Sequence, residues 1–160
     1  MTISDRSAEG LYEDRSGPLM AELAGGVAGW EVTERAVLPD EREQIARTLV
    51  AWCEQGLALI LTSGGTGFAP RDVTPEATRD VIEREAPGIA EALRAESLKI
   101  TRHAMLSRGV AGIRGRSLII NLPGNPKAVR ESLEILLPVL PHALELLASD
   151  RSAESGHRSV

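Results

Sequence analysis

The feature that most constrains this chain is the apolar run at residues 57–61, Leu-Ala-Leu-Ile-Leu, which stops abruptly at Thr62-Ser63-Gly64-Gly65-Thr66-Gly67. A short continuous apolar run closed by glycines reads as a buried strand. Beyond it, Thr74-Pro75-Glu76 opens a helix, with Thr74 as N-cap and Pro75 at the first helical position. A buried strand that ends in small, hydroxyl-rich and glycine-rich residues brings backbone N–H groups close to a ligand, and phosphate is the commonest candidate. Asp72, beside Arg71, is spaced to hold a divalent cation against such a phosphate. A plainer reading stays open. Ser-Gly-Gly-Thr-Gly also suits a tight strand-to-helix connection, and Asp72 also suits a helix N-terminus as a favourable charge. The loop fits neither a Walker A sequence nor the Gly-x-Gly-x-x-Gly fingerprint. Its length beyond a tight turn favours the site.

The rest of the chain repeats this alternation. Met1-Thr2-Ile3 leads to Ser4-Asp5 and reads as a strand end, short against the usual five or so residues. Ser16-Gly17-Pro18 predicts a helix start with Ser16 capping, and the helix stops near Gly25-Gly26. Residues 30–38 alternate, with Trp30, Val32, Ala36 and Leu38 on one side, and predict a strand. Asp40 through Glu43 has capping-box spacing ahead of a helix carrying Ile45, Ala46, Leu49, Val50 and Cys53. The helix from Thr74 is expected to end at Pro87-Gly88, with a helical pattern resuming over 89–98. Residues 109–115 predict a glycine-punctuated turn into a strand at 117–122, broken by Pro123-Gly124-Asn125-Pro126-Lys127. A helix follows from Ala128 to about Leu137, then a Pro138- and Pro141-interrupted segment to Leu147.

Strands alternating with helices predict an α/β fold, a three-layer αβα sandwich on a largely parallel sheet. With 160 residues, the chain has room for one domain with a substantial core, assigned to residues 1–148. The polar residues 149–160 are expected to form a disordered tail. A net charge of −5 argues against a nucleic-acid or anionic-membrane partner but leaves a nucleotide ligand open. The single cysteine, Cys53, excludes an intrachain disulfide, and no signal peptide or membrane-length apolar run is seen, so a cytoplasmic location is expected.

In a parallel sheet, ligands sit outside the carboxyl ends of the strands. Four predicted strand ends carry polar chemistry: Ser4-Asp5, Asp40, the glycine loop with Asp72, and Asn121 through Lys127. Asp40 has a good structural reading as a helix N-cap, though a carboxylate has a second oxygen for a metal. Lys127, just before a helix, pairs poorly with that helix's positive end and so more plausibly faces an anion. Ser107-Arg108 is a weaker candidate. His103, His142 and His157 form no zinc-ligand spacing with Cys53, and no hydrolase triad or nucleophile elbow is present.

Taken together these segments resemble the MogA/MoaB family of molybdenum-cofactor biosynthesis proteins, which includes the G domains of gephyrin. The matching pieces are SDR from Ser4, EDRSGP from Glu13, LPDE from Leu38, LTSGGTGFAPRDVTPEAT from Leu61, MLSRGVAGIRG from Met105 and INLPGNPKAVRE from Ile120. The resemblance implies a MogA-like fold and a molybdopterin adenylyltransferase, which transfers AMP from Mg-ATP to the terminal phosphate of molybdopterin and releases pyrophosphate. It also implies a homotrimer and a molybdate-inserting, MoeA-like partner. By position, Asp72 matches the family's essential loop aspartate and Asp40 a second active-site aspartate, both assigned to Mg²⁺ and phosphate. Backbone amides of Ser63, Gly64, Gly65, Thr66 and Gly67 would hold phosphate, with Thr62 counted among the binding residues of the same loop. Ser4, Asp5 and Asp14 would line the same edge, and Asn121, Pro123, Gly124, Lys127, Ser107 and Arg108 resemble the remaining substrate-pocket segments.

Family members carry several more apolar residues ahead of the Ser-Asp pair. The resemblance therefore implies either a start codon assigned downstream of the real one or a central strand that has lost much of its length. Two other functions stay open: a catalytically silent MoaB-type molybdopterin-binding or scaffold protein, and a related domain of molybdate-inserting or nicotinamide-salvage proteins.

Overall fold

A computed structural model describes residues 1–149. Its six strands form one sheet in the order β2 (Val37–Leu38), β1 (Thr2–Ile3), β3 (Leu59–Ser63), β6 (Ser117–Leu122), β5 (Ala111–Arg114) and β4 (Arg84–Glu85). The first four run parallel, whereas β5 is antiparallel to β6 and β4 antiparallel to β5. The helices are α1 (Asp5–Ala8), α2 (Ser16–Gly25), α3 (Arg42–Glu54), α4 (Thr74–Val81), α5 (Pro87–Leu98), α6 (Pro126–Leu136) and α7 (Leu140–Ala148), with a 3-10 turn at Arg102–Leu106.

The three layers follow from the period-two alternation of the central strands. Leu61 of β3 and Leu118, Ile120 and Leu122 of β6 pack against Met20 of α2, Leu93 of α5, Val129, Leu133 and Leu136 of α6, and Leu140 of α7. Ile60 and Ile119, one residue out of phase, turn to the opposite face and meet Ile45, Leu49 and Trp52 of α3 and Ala77 and Val81 of α4. Ile45, Leu49, Val129 and Leu133 are fully buried, each at a helix position spaced by four from its partner, so each helix presents one apolar stripe to the sheet. Burying a side chain of this size contributes about 1.5–3 kcal/mol.

Several boundaries differ from the sequence expectation. Only Val37 and Leu38 of the segment 30–38 form strand, pairing with Thr2 and Ile3. Residues 31–35 carry a strand-like pattern, but β1 is two residues long and only Ala36 reaches it, accepting from Thr2 N at 2.8 Å. The helix opened by Thr74 stops at Val81 rather than at Pro87, because residues 84–85 pair with β5. The turn expected at 109–115 is largely a strand, β5, whose Ala111 and Gly112 face Ile120 and Ile119. Caps also shift. Asp14, not Ser16, accepts from the Gly17 N–H at 2.9 Å, and α3 starts after Glu41 with no side-chain cap, so Asp40 is not its N-cap. Residues 150–160, nearly all of the expected tail, lie outside the described residues.

Candidate active site

The carboxyl ends of β1, β2, β3 and β6 meet in a cleft of about 530 Å³ lined by Ser4, Asp5, Asp14, Asp40, Ser63, Gly64, Gly65, Asp72 and Gly124, among others. Parallel pairing brings these ends to one edge. Gly64 and Gly65 have φ of 101° and 65°, a region side chains rarely adopt. A Cβ on Gly64 would overlap the Ile3 carbonyl oxygen, and one on Gly65 would overlap the Thr74 hydroxyl and lie 2.9 Å from Asp40 Oδ1. The turn is held in place from within: Thr74 Oγ1 donates to the Gly64 carbonyl at 2.9 Å, and Thr74 N donates to the Gly65 carbonyl at 3.1 Å. Thr74 therefore bonds the loop instead of capping its helix.

Two carboxylates flank this turn. Asp40 Oδ2 accepts from Asp5 N at 3.0 Å while Asp5 Oδ1 accepts from Asp40 N at 2.9 Å, a reciprocal lock between the ends of β1 and β2. Partial burial, with the negative charges of Asp5 and Asp72 nearby, raises the Asp40 pKa above the ordinary carboxylate value. Asp5 goes the other way: hydrogen bonds from Arg71, then from the Asp40 amide, hold its carboxyl below the ordinary range. Asp72 Oδ2 accepts from Ala69 N at 3.0 Å and lies 2.9 Å from where a Cβ at Gly67 would stand.

Other residues singled out from the sequence bond inward. Asn121 is buried, donating to the hydroxyls of Thr62 at 3.0 Å and Thr78 at 2.9 Å and accepting from Val110 N at 3.1 Å. Ser63 Oγ donates to the Pro123 carbonyl and Ser16 Oγ to the Gly124 carbonyl, each at 2.8 Å, joining the glycine loop, β6 and α2. Arg108 donates to the carbonyls of Gly67 at 2.7 Å and Asp72 at 2.8 Å, pairs with Glu76, and through its own N–H bonds the Thr66 carbonyl at 2.8 Å. It thereby holds the Glu76 carboxyl below its usual value. The Ser107 hydroxyl accepts from Gly109 N at 3.4 Å. Lys127 extends into solvent, 77 % exposed, with Glu131 3.7 Å away.

Sequence reasoning did not assign Arg6, Tyr12, Glu13 or Arg15 to the cleft, although all four line it. Arg6, Glu13 and Arg15 stand inside the matched SDR and EDRSGP pieces, so a signal was present. Tyr12, with the Arg6 guanidinium 5.2 Å from its ring centre, carried none.

Among the described residues no cluster of three or more His, Cys, Asp or Glu forms a metal cage. Asp40 and Asp72 nevertheless fit Mg²⁺, which is commonly held by one or two carboxylates with phosphate and water completing the shell. The lining points the same way. It carries Asp5, Glu13, Asp14, Asp40 and Asp72 against Arg6 and Arg15, so a polyphosphate would enter this cleft only with added positive charge.

Fold and cleft together define a doubly wound α/β protein with a glycine-rich turn at the carboxyl ends of its parallel strands. A family model described as "Probable molybdopterin binding domain" matches residues 1–142, and the chain belongs to that family. A molybdopterin adenylyltransferase of Helicobacter pylori is 43% identical over 149 residues, covering 92% of this chain and 85% of that protein. The molybdopterin biosynthesis enzyme MoaB of Thermus thermophilus superposes with a TM-score of 0.86 at 51% identity, covering 93% of this chain and 94% of that one. The molybdenum cofactor synthesis protein cinnamon of Drosophila melanogaster is 44% identical over 95% of this chain, which spans only 26% of that larger protein.

Proposed function

We propose that this chain is a molybdopterin adenylyltransferase, joining AMP from ATP to the terminal phosphate of molybdopterin with release of pyrophosphate. The observation that carries this reading is the meeting of Asp40, beside Gly65, and Asp72, beside Gly67, with the glycine loop in one cleft. The relatives that bear that activity in their names support it.

The chemistry needs little covalent work from the protein. A phosphate oxygen of molybdopterin attacks the α-phosphorus of ATP, the bond to the β-phosphate breaks, and pyrophosphate leaves. Both reactants are anions, so the protein must align them and offset their charge. The Ser63 and Gly64 N–H groups are spent on the Met1 and Leu122 carbonyls, so the N–H groups of Gly65, Thr66 and Gly67 receive phosphate, while the reciprocal Asp5–Asp40 bonds fix the carboxylates. Asp40 and Asp72 would hold Mg²⁺, which when bound supplies neutralising charge to the phosphates. Arg108 and Thr74 keep the cradle rigid from behind.

Further parts of the proposal rest on the family resemblance: one domain over residues 1–148, a homotrimer, a molybdate-inserting MoeA-like partner and a cytoplasmic location. The exposed Ile100 and Met105, 57% and 63% accessible, support self-association. No helix among the described residues is long and apolar enough to cross a membrane.

The test is to incubate the purified protein with molybdopterin and Mg-ATP and follow adenylylated product, alongside Asp72→Asn. Product from the wild type and a loss of about 100-fold or more in Asp72→Asn are expected. A folded wild type that binds molybdopterin and forms no product would identify a silent MoaB-type binding protein instead.

A further inference from the structure

Two arginines flank the site in sequence and space, and they differ in what they bond: one holds the glycine loop, the other the carboxylates of Asp5 and Glu41. Arg108 donates to the backbone carbonyls of Gly67 and Asp72 and to Glu76. Arg71 donates through Nε and a terminal nitrogen to both oxygens of Asp5, each at 2.8 Å, and to Glu41 Oε1 at 3.0 Å. Its side chain is 55% exposed. Backbone carbonyls inside a loop have no other donor to turn to. Carboxylates at the rim of a cleft exchange partners with whatever ion arrives.

Asp5 lines the cleft, so a guanidinium bonded to it stands at the rim. The same carboxylate is locked to Asp40, and Arg71 is the cation whose charge acts on Asp40 against Asp5 and Asp72. Arg71 thus supplies positive charge to the acidic group that a polyphosphate must approach. Guanidinium bonds carboxylate and phosphate in the same two-pronged geometry. An exposed arginine–carboxylate pair adds little to stability, which leaves the conformation of this contact free to change.

We propose that Arg71 is an exchangeable phosphate receptor: Asp5 and Glu41 hold its guanidinium in the free protein, and it passes to phosphoryl oxygens of the entering polyphosphate. The inference rests on the nucleotide-binding reading of this cleft and adds a residue to it. When the guanidinium moves, Asp5 loses a countercharge at the moment the cleft gains an anion. The exchange leaves Asp5 uncompensated, so it calls for the added positive charge that a cation entering with the polyphosphate brings, and it ties the 69–72 arm, with Asp72, to the bound ligand.

The test measures binding of inorganic pyrophosphate and of Mg-ATP to the full chain by calorimetry, with melting temperatures in parallel. Arg71→Ala is expected to weaken pyrophosphate binding by about 10-fold or more, and Arg71→Lys by less, because ammonium keeps the charge without the fork. Glu41→Gln removes a competitor for the guanidinium, so its pyrophosphate affinity should equal or exceed that of the wild type. All three should melt within a few degrees of the wild type. Unchanged binding in Arg71→Ala would overturn the proposal. So would an equal loss in Glu41→Gln, or a collapse in the melting temperature of Arg71→Ala; either would make Arg71 a strap between strand ends. A wild type that binds neither probe would reject the adenylyltransferase reading itself, whereas binding that is indifferent to Arg71 rejects only this assignment.

Discussion

Two hollows lie at opposite ends of the central strands, and their sizes run against their chemistry. The larger, about 1090 Å³, is bounded by Met20, Ala24, Trp30, Trp52, Leu59 and Leu144 among others. It sits at the amino end of β3, where residues 31–35 run without a ladder and the register of β1 against β3 is a single pair, Thr2 with Ser63. The smaller, about 530 Å³, holds Asp5, Asp40, Asp72 and the glycine turn at the carboxyl ends. The large one lies where β1 and β2, two residues each, stand beside the five-residue β3. The small one follows from loops that must leave every parallel strand on the same side. Convergence of polar groups, not volume, is what singles out the end proposed as the site.

The hollows also treat charge differently. At the larger one the Met1 α-amino group is buried and donates to the Leu61 carbonyl at 2.9 Å. Burial lowers its pKa from 8.0 to about 6, with Asp14 opposing the shift and Arg35 adding to it. At the cleft, charges stand in pairs and locks near water. A lone buried charge costs stability, whereas a rim charge remains available to a ligand.

The sharpest way to break this contrast is Gly64→Ala. It places a methyl group against the Ile3 carbonyl at a φ of 101°, and both the strain and the clash fall on the cradle. A stability loss of about 2–5 kcal/mol and loss of nucleotide binding are expected. A variant with wild-type melting and binding would show that the turn is not a cradle.

The second effect belongs to the larger hollow. Below about pH 6 the Met1 amine is protonated in both folded and unfolded chains, and the folded state carries the full cost of a buried charge. Between about 6 and 8 the unfolded amine still binds its proton while the folded one has released it, so stability rises with pH across that window. The gain should approach roughly 2–3 kcal/mol, and acetylating the amine should flatten the slope, as read by denaturant melts at each pH.

Arg108→Ala comes third. It leaves the half-buried Glu76 and two loop carbonyls without their donor, for a loss of about 1–3 kcal/mol and a larger fall in activity than in stability. Equal melting and turnover to the wild type would remove Arg108 from the frame of the cradle. The smallest change is Arg42→Ala. It breaks an exposed pair with Asp80 outside both hollows and should leave the melting temperature and turnover close to the wild type.

Much of the layered fold is readable from residues alone. Leu118, Ile119, Ile120 and Leu122 announce a strand buried on both faces, and Ile45 with Leu49 marks the helix side that meets it. The segment 31–35 misled because alternation reports a strand's side-chain pattern, not whether a neighbour exists to pair with its backbone. β4 and β5 were missed because glycines and charged residues hide short antiparallel strands from any apolar pattern. Asp40 showed the same limit. Its spacing fitted a helix cap, yet its carboxylate bonds the Asp5 amide 35 residues away.

The sequence by itself determined the alternation of strands and helices, the two apolar faces of the sheet and the glycines that make a turn at β3 possible, since each depends on periodicity or local backbone freedom. Only the tertiary structure decided which carboxylate meets which donor. Arg71 reaches Asp5 across 66 residues of chain, and Asp40 meets Asp5 across 35. Hydrogen bonds of a few ångströms between distant residues depend on how packed helices and paired strands set the loops against one another, and that distance is written in no single segment.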